Sequence, residues 1–299
     1  MVGRILKGLK GLYTVEAEDG TFYECRTATK VRKSGIMPLA GDIAEFEVNE
    51  DKTGFIVGIE NRKNSFVRPL AANVDVLAIV VAVHDPEPYL YNVDKLTVAA
   101  TAGNVETWII INKTDKGASD ILEKTYSSIG IKCIKVCAIN KEISELKEAV
   151  EGKTVIFTGA SGVGKSSLLN SMYPSLNLET GDLSEKLMRG KNTTRHTELH
   201  KVGEHTYIGD SPGFTRLELD KKVSYEEKNK DTDFRTLISV DKNELKFLFP
   251  EIRELEGECR WRDCSHTKED GCVVKKKVEL NEIPLSRYES YIRMFESLI

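Results

Sequence analysis

Residues 159 to 166 have the types and spacing that bind a polyphosphate, because they match G-x-x-x-x-G-K-[S/T] at every position. A predicted strand precedes them and a predicted helix follows, so backbone N–H groups and the helix dipole would face phosphate oxygens. Lys165 is expected to reach the β- and γ-phosphates, and Ser166 to ligate Mg²⁺. The alternative is a glycine-rich turn without a ligand. The predicted phosphate-binding residues are Gly159, Ala160, Ser161, Gly162, Val163, Gly164, Lys165, Ser166 and Ser167.

The sequence Asn112-Lys113-Thr114-Asp115 follows another apolar run, Trp108 to Ile111, and could recognise guanine. The Asp115 carboxylate can accept hydrogen bonds from N1–H and the exocyclic amine of guanine, which adenine cannot offer. The Lys113 stem can lie along the base plane, and Asn112 can tie this loop to the phosphate loop. Cys137 and Ala138 could supply a backbone N–H to the guanine oxygen. Taken alone, the four residues could equally form a polar turn.

Two segments between the phosphate loop and residue 213 resemble nucleotide-sensing switches. Asp210-Ser211-Pro212-Gly213 has the D-x-x-G form, in which Asp210 would hold Mg²⁺ and the Gly213 N–H would contact the γ-phosphate. Thr193 and Thr194 precede it, and Thr194 is expected to complete the Mg²⁺ shell. Polar loops without this role are the alternative.

The residue after Gly213 is Phe214, where Ras-like GTPases carry a glutamine that orients the attacking water. A phenyl ring cannot orient water by hydrogen bonding, so intrinsic hydrolysis is expected to be slow. His196 is the nearest candidate for the group that positions the water. Together with Lys165 and Gly213, it makes up the predicted catalytic residues. An ordinary loop histidine is the alternative for His196.

A cysteine and histidine cluster near the C-terminus has zinc-ligand spacing, C-x4-C-x-H-x5-C. Three thiolates and one imidazole leave no open position, which indicates a structural rather than catalytic zinc site. Reduced cysteines and a surface histidine are the alternative. The basic run 275–277, with Arg260, Trp261 and Arg262, is either an RNA-facing patch or a solvated face. The predicted zinc ligands are Cys259, Cys264, His266 and Cys272.

Composition limits the possible classes of protein. The chain has 299 residues, a net charge of −4 and 40% hydrophobic residues, so binding of RNA would depend on local basic patches. No apolar segment follows the basic N-terminal residues, and the longest apolar run is too short to span a bilayer. We therefore expect a cytoplasmic protein without a membrane partner, and a monomer because no exposed heptad pattern is present.

Patterning along the chain predicts three domains. Residues 1–67 contain short strands with turn signals, which predicts a small OB-like RNA-binding β-barrel. Residues 68–220 alternate strands and helices, which predicts an α/β P-loop domain with a largely parallel sheet. No strand is predicted after Leu219, and residues 221–299 are expected to form a mainly helical zinc-binding domain.

The order of the motifs is permuted, since the guanine motif precedes the phosphate loop. A sheet tolerates this order, because only the loops at its strand ends must be adjacent. The barrel, the motifs NKTD, GASGVGKSS, TTR and DSPGF in that order, and the cysteine tail resemble the RsgA family over essentially the whole chain. Cys137 stands where the family usually has serine.

The resemblance implies a circularly permuted GTPase that binds the small (30S) ribosomal subunit and 16S rRNA and assists late subunit maturation. It implies slow GTP hydrolysis that the subunit stimulates, with Mg²⁺ and one structural zinc ion as cofactors. Two alternatives stay open. One is a metabolic or signalling GTPase that does not use RNA, and the other is a GTP-sensing RNA-binding protein with little catalysis, which Phe214 favours.

Overall fold

The structure is a computed structural model that describes residues 1–66, 70–179, 197–210, 218–220 and 237–298. Two compact units divide the chain. The first is drawn from the described parts of Met1–Ala78, Ala138–Thr158 and Lys165–Gly213, and the second from those of Ile79–Cys137, Gly159–Gly164 and Phe214–Ile299. Across the described ranges, no helix is both long and apolar enough for a membrane span.

The N-terminal residues form a closed five-stranded barrel with the strand order β1-β2-β3-β5-β4. Strands β3 and β5 pair in parallel, and every other pairing in the barrel is antiparallel. This is the predicted OB-type barrel. A short helix, α1 (Thr29–Lys33), lies between β3 and β4. The strands are β1 (Val2–Leu9), β2 (Leu12–Ala17), β3 (Phe22–Thr27), β4 (Ile43–Val48) and β5 (Thr53–Ile59).

Alternate residues of these strands point inward and fill the barrel, as expected for strands with one buried face. Its largest fully buried side chain is Phe46, whose ring centroid lies 5.3 Å from that of Tyr23. In the first strand, a bulge between Ile5 and Lys7 breaks this alternation. The barrel core contains Ile5, Tyr13, Val15, Ala17, Cys25, Ala44, Phe46 and Ile56.

Next in the chain is a two-stranded sheet of β6 (Ser65–Phe66) and β7 (Ala71–Ala72). Six later strands form one sheet in the order β10-β9-β8-β11-β13-β12. Strands β8 and β11 are buried along their whole length, as expected for strands of a parallel sheet that is covered on both faces. The edge strand β12 runs antiparallel to β13. The six strands are β8 (Val76–Ala82), β9 (Glu106–Asn112), β10 (Lys132–Lys135), β11 (Thr154–Gly159), β12 (Glu198–Lys201) and β13 (Tyr207–Asp210).

Helices connect these strands, as the α/β pattern predicts. Helix α5 starts at Lys165, directly after the glycine-rich loop that ends β11. The helix α2 begins near Leu90, between β8 and β9, and has a mostly buried second half. Between residues 70 and 179 the helices are α2 (Leu90–Ala102), α3 (Asp120–Ser127), α4 (Ser144–Ala149) and α5 (Lys165–Met172).

The C-terminal part is mainly helical, but the expectation that strands end at Leu219 was wrong. Strand β14 (Glu218–Asp220) pairs in parallel with β15 (Leu237–Ser239), a three-residue partner too short to show a period-2 pattern. Three helices follow, and the last packs against α2. They are α6 (Pro250–Arg253), α7 (Val273–Glu279) and α8 (Leu285–Ser297).

Candidate nucleotide site and cysteine cluster

The guanine motif and the phosphate loop touch each other in the second unit. Asn112, 1% exposed at the end of β9, donates a hydrogen bond from Nδ2 to the carbonyl oxygen of Val163, at 2.9 Å. The Lys113 ammonium donates to the carbonyl oxygens of Gly162, at 2.7 Å, and of Asp85. The bonds to Val163 and Gly162 join the guanine motif to the phosphate loop, although their residues are 51 and 49 positions apart in the chain.

Backbone geometry explains two residue choices in these loops. Lys113 has a φ of +62°, so the guanine motif turns sharply at the end of β9. Gly164 has a φ of +86°, and a Cβ there would lie 2.6 Å from Nδ2 of Asn112. A side chain at position 164 would therefore break the contact between the loops.

The Asp115 carboxylate is exposed, and a buried thiol holds it. Cys137 Sγ lies 3.2 Å from Oδ1 of Asp115 and donates to it, and Cys137 itself is 1% exposed. Thr114 Oγ1 donates to the carbonyl oxygen of Val136, at 3.2 Å, which fixes the same turn against the end of β10. The predicted backbone role of Cys137 and Ala138 stays a prediction, and the thiol contact with Asp115 is an addition that the sequence did not indicate.

In the first unit, the Lys165 ammonium contacts the Asp210 carboxylate. Lys165 begins α5 and Asp210 ends β13, and the neighbouring strands β11 and β13 place these two positions side by side. Burial lowers the pKa of Lys165 to about 8 despite this partner. One predicted phosphate-binding cation and one predicted Mg²⁺ ligand are thus adjacent, as binding of a magnesium–triphosphate requires. Ser166 is half-buried beside them, and Ser167 is exposed.

Four predicted site residues lie outside the described residues. They are Thr193, Thr194, His196 and Gly213. Their roles in Mg²⁺ binding, water orientation and γ-phosphate sensing therefore stay predictions, as does the consequence drawn from Phe214.

The four predicted zinc ligands lie together in the second unit, with ligand atoms all within 4.8 Å of one another. His266 Nδ1 lies 3.6 Å from Cys259 Sγ and 3.5 Å from Cys272 Sγ, and these two sulfurs are 4.0 Å apart. A tetrahedral zinc–sulfur site would separate its ligands by roughly 3.8 Å. The distances therefore fit one zinc ion bound through Nδ1 of His266.

The chemistry of the donors also fits a cation. Burial raises the pKa of Cys264 to about 12 and also raises that of Cys272, so packing these thiols together opposes their ionisation until a cation neutralises them. Burial lowers the pKa of His266, which favours the neutral imidazole that metals bind. The Val273 N–H donates to Cys259 Sγ at 3.4 Å. Such outer contacts orient a ligand.

The loop between the ligands is fixed by local hydrogen bonds. Glu269 accepts bonds from Ser265 and Thr267, which lower its pKa to about 2 although burial acts in the opposite direction. Tyr288 and Tyr291 on α8 donate to the carbonyl oxygens of His266 and Ser265. The cysteine cluster is therefore attached to α8.

The order of the sheet, the contacting phosphate and guanine loops, and their permuted sequence define the class as a circularly permuted P-loop GTPase. The family model described as "RsgA GTPase" matches residues 59–220, and that described as "RsgA N-terminal domain" matches residues 2–56. The chain belongs to the RsgA GTPase family and is a GTP hydrolase, as the sequence analysis expected.

Relatives match over nearly the full chain. The "Small ribosomal subunit biogenesis GTPase RsgA" of Caldanaerobacter subterraneus subsp. tengcongensis is 38% identical, with 99% of this chain and 95% of that protein covered. A protein of the same name from Geobacillus sp. is 37% identical, with 99% and 97% covered. Both names are those of the relatives and describe what the relatives do.

Two solved structures have the same fold. YjeQ from Thermotoga maritima aligns with a TM-score of 0.77 and 34% identity, with 99% of this chain and 98% of that chain covered. YloQ, described as a circularly permuted GTPase, aligns with a TM-score of 0.74 and 29% identity, with 99% and 94% covered. The permuted fold predicted from motif order is confirmed.

Proposed function

We propose that this GTPase binds the small (30S) ribosomal subunit through 16S rRNA and assists its late maturation, and that the subunit stimulates GTP hydrolysis. The observation that carries the proposal is the full-length match, barrel and cysteine tail included, to proteins named for small-subunit biogenesis. We further propose that it acts as a monomer in the cytoplasm, where ribosomal subunits mature.

Two surfaces support an RNA partner. On the barrel, Phe55 of β5 is 46% exposed and pairs in register with the exposed Arg26 of β3. Beside the cysteine cluster, Trp261 is 53% exposed, and the Arg260 guanidinium lies 5.2 Å from its ring centroid. An aromatic face next to a cation suits an unstacked base and its phosphate. Such local patches are what a chain with a net charge of −4 requires.

Within the nucleotide site, Asp115 reads guanine, Cys137 and Thr114 hold its loop, and Asn112 and Lys113 join that loop to the phosphate loop. The backbone of Gly159 to Ser167 binds the phosphates, with Lys165 on the β- and γ-phosphates. Magnesium, held by Ser166, Asp210 and Thr194, would neutralise charge that develops on the transferred phosphoryl group. The zinc ion, on Cys259, Cys264, His266 and Cys272, would be structural.

The test is phosphate release from GTP with small subunits, with large subunits and with neither, using Lys165→Ala as the inactive blank. We expect the small subunit alone to accelerate release. Trp261→Ala and Phe55→Ala should raise the subunit concentration needed for half-maximal stimulation, while the basal rate stays unchanged. Release that neither subunit alters would remove the ribosomal role and favour a GTPase that does not use RNA.

The same assay addresses the GTP-sensing alternative. A sensor with little catalysis would bind the subunit in the GTP state but release almost no phosphate even on the subunit. Membership of the GTPase family favours turnover over this alternative.

A further inference from the structure

A buried carboxylate of the barrel faces the edge hairpin of the GTPase sheet within the first unit. Glu16 lies on β2 and is only 4% exposed. Its Oε1 accepts from the Lys201 ammonium at 2.7 Å, and its Oε2 accepts from the Tyr207 hydroxyl at 3.1 Å. Lys201 ends β12 and Tyr207 begins β13, and the two are register partners. One carboxylate thus bridges both strands of the hairpin.

Arg4 completes this cluster from the neighbouring barrel strand. Arg4 on β1 is the register partner of Glu16, and its guanidinium lies 4.6 Å from the centroid of the Tyr207 ring. Its Nη1 also donates to Oγ1 of Thr154, the first residue of β11, at 3.3 Å. The barrel therefore contacts three adjacent strands, β11, β12 and β13, through two side chains.

The hairpin carries Asp210 at its other end. Strand β13 is four residues long, so Tyr207 and Asp210 are its first and last residues. Glu198 of β12 is the register partner of Asp210, and its carboxylate lies 3.2 Å from the Lys7 ammonium of the barrel. Strand β13 pairs with β11 on one side and with β12 on the other along all four of its residues, so a side chain that holds its first residue also acts on the position of its last.

We propose that Glu16 is a positioning residue for GTP hydrolysis: it fixes the β12–β13 hairpin, and through that hairpin the carboxylate of Asp210. The inference rests on the proposed role of Asp210 in holding Mg²⁺. Under it, the barrel takes part in setting the geometry of the hydrolytic site in addition to binding RNA. A ligand that shifts the barrel would act on hydrolysis through the same contacts.

The Glu16→Gln variant tests the inference with little change in shape. The amide can accept from one donor, but its NH₂ group faces the other, so one charged hydrogen bond is lost. Hydrogen exchange of the β12 and β13 amides should become about tenfold faster, the factor that loss of one such bond permits. Glu18→Gln, an exposed glutamate in the turn after β2, is the matched control and should leave exchange unchanged.

The second readout is the Mg²⁺ concentration that gives half-maximal GTP hydrolysis. Glu16→Gln and Lys201→Met should each raise it by about tenfold, and the double variant should show little further rise, because both remove the same interaction. A purely stabilising role would lower the melting temperature and leave the Mg²⁺ requirement unchanged, and that result would overturn the inference.

Failure of the inference can be separated from failure of the proposed magnesium site. If Asp210→Asn leaves the Mg²⁺ requirement unchanged, the magnesium role of Asp210 is wrong, and hydrogen exchange alone then decides whether Glu16 fixes the hairpin. If Asp210→Asn raises the requirement and Glu16→Gln changes neither exchange nor the requirement, Glu16 has no positioning role.

Discussion

Replacing Arg287 by methionine should destabilise the second unit strongly, because this guanidinium is fully buried between two acids. Arg287 Nε donates to Glu251 Oε1 at 2.8 Å, and Nη1 donates to Asp94 Oδ1 at 2.8 Å and to Thr97 Oγ1 at 2.9 Å. Arg287, Asp94 and Glu251 are 0%, 0% and 8% exposed. The cluster joins α8 to α2 and α6, so its loss affects how the last helix is held.

The magnitude follows from what the substitution leaves behind. Methionine fills much of the arginine volume, but two buried carboxylates lose their cation, and breaking a buried pair in this way costs about 3–5 kcal/mol. With about 2–4 °C lost per kcal/mol in a unit of this size, the melting temperature should fall by roughly 6–20 °C. Arg253→Met, on an exposed arginine of α6, should change it by less than about 2 °C.

The loss of stability in Arg287→Met should also depend on pH. Burial raises the pKa of Asp94, and Arg287 opposes that rise. Without Arg287 the pKa rises further, so the native state retains a proton at Asp94 that the unfolded state releases above about pH 4. Stability of the variant then falls as pH increases, and the deficit should be larger at pH 7.5 than at pH 5.5.

Differential scanning calorimetry of the full-length protein at both pH values measures these shifts. Arg287→Lys is the companion variant: it keeps the charge but cannot bridge both acids, so its deficit should be intermediate. A loss below about 2 °C for Arg287→Met, or an equal loss at both pH values, would show that the two acids are not held by this charge.

Three further predictions concern single sites. Gly164→Ala should weaken GTP binding by about tenfold or more, because the added Cβ would displace the Asn112 side chain. Titration with a fluorescent nucleotide measures the affinity, and the melting temperature checks that the variant is folded. Purified protein should contain one zinc per chain by mass spectrometry of the metal, and Cys264→Ser should lower both zinc content and, by roughly 5 °C or more, the melting temperature. Cys25 should resist iodoacetamide at pH 8 and react once unfolded, because burial raises its pKa to about 11 and leaves about one thiolate in a thousand.

The parts of the site that the sequence predicted are those encoded by short contiguous motifs. Gly164 and Lys165 are neighbours in one short motif, in which Lys165 begins α5 directly after the loop. Cys259 and Cys272 are likewise close enough in sequence that ligand spacing predicts the cluster. Permuted order did not hide these motifs, because each depends on a strand end and the turn that follows it.

The contacts that could not be predicted join residues far apart in the chain. In the sequence, nothing distinguishes Arg287 from an exposed basic residue of a helix. Its acidic partners Asp94 and Glu251 lie 193 and 36 residues away. On α8 the charged Arg287 is buried together with the aromatic Tyr291. A charge is recognised as part of a core only when its partners are known.

Glu16 shows the same limit at the barrel, and it also suggests why the barrel and the GTPase sheet occur in one chain. Its partners, Lys201 and Tyr207, lie 185 and 191 residues further on. A barrel that only tethered the protein to RNA would not need a buried carboxylate aimed at the hairpin that carries Asp210. Burying the Glu16 carboxylate costs free energy, although both of its oxygens accept hydrogen bonds there. This cost is understandable if the orientation that Glu16 gives to the hairpin matters for hydrolysis.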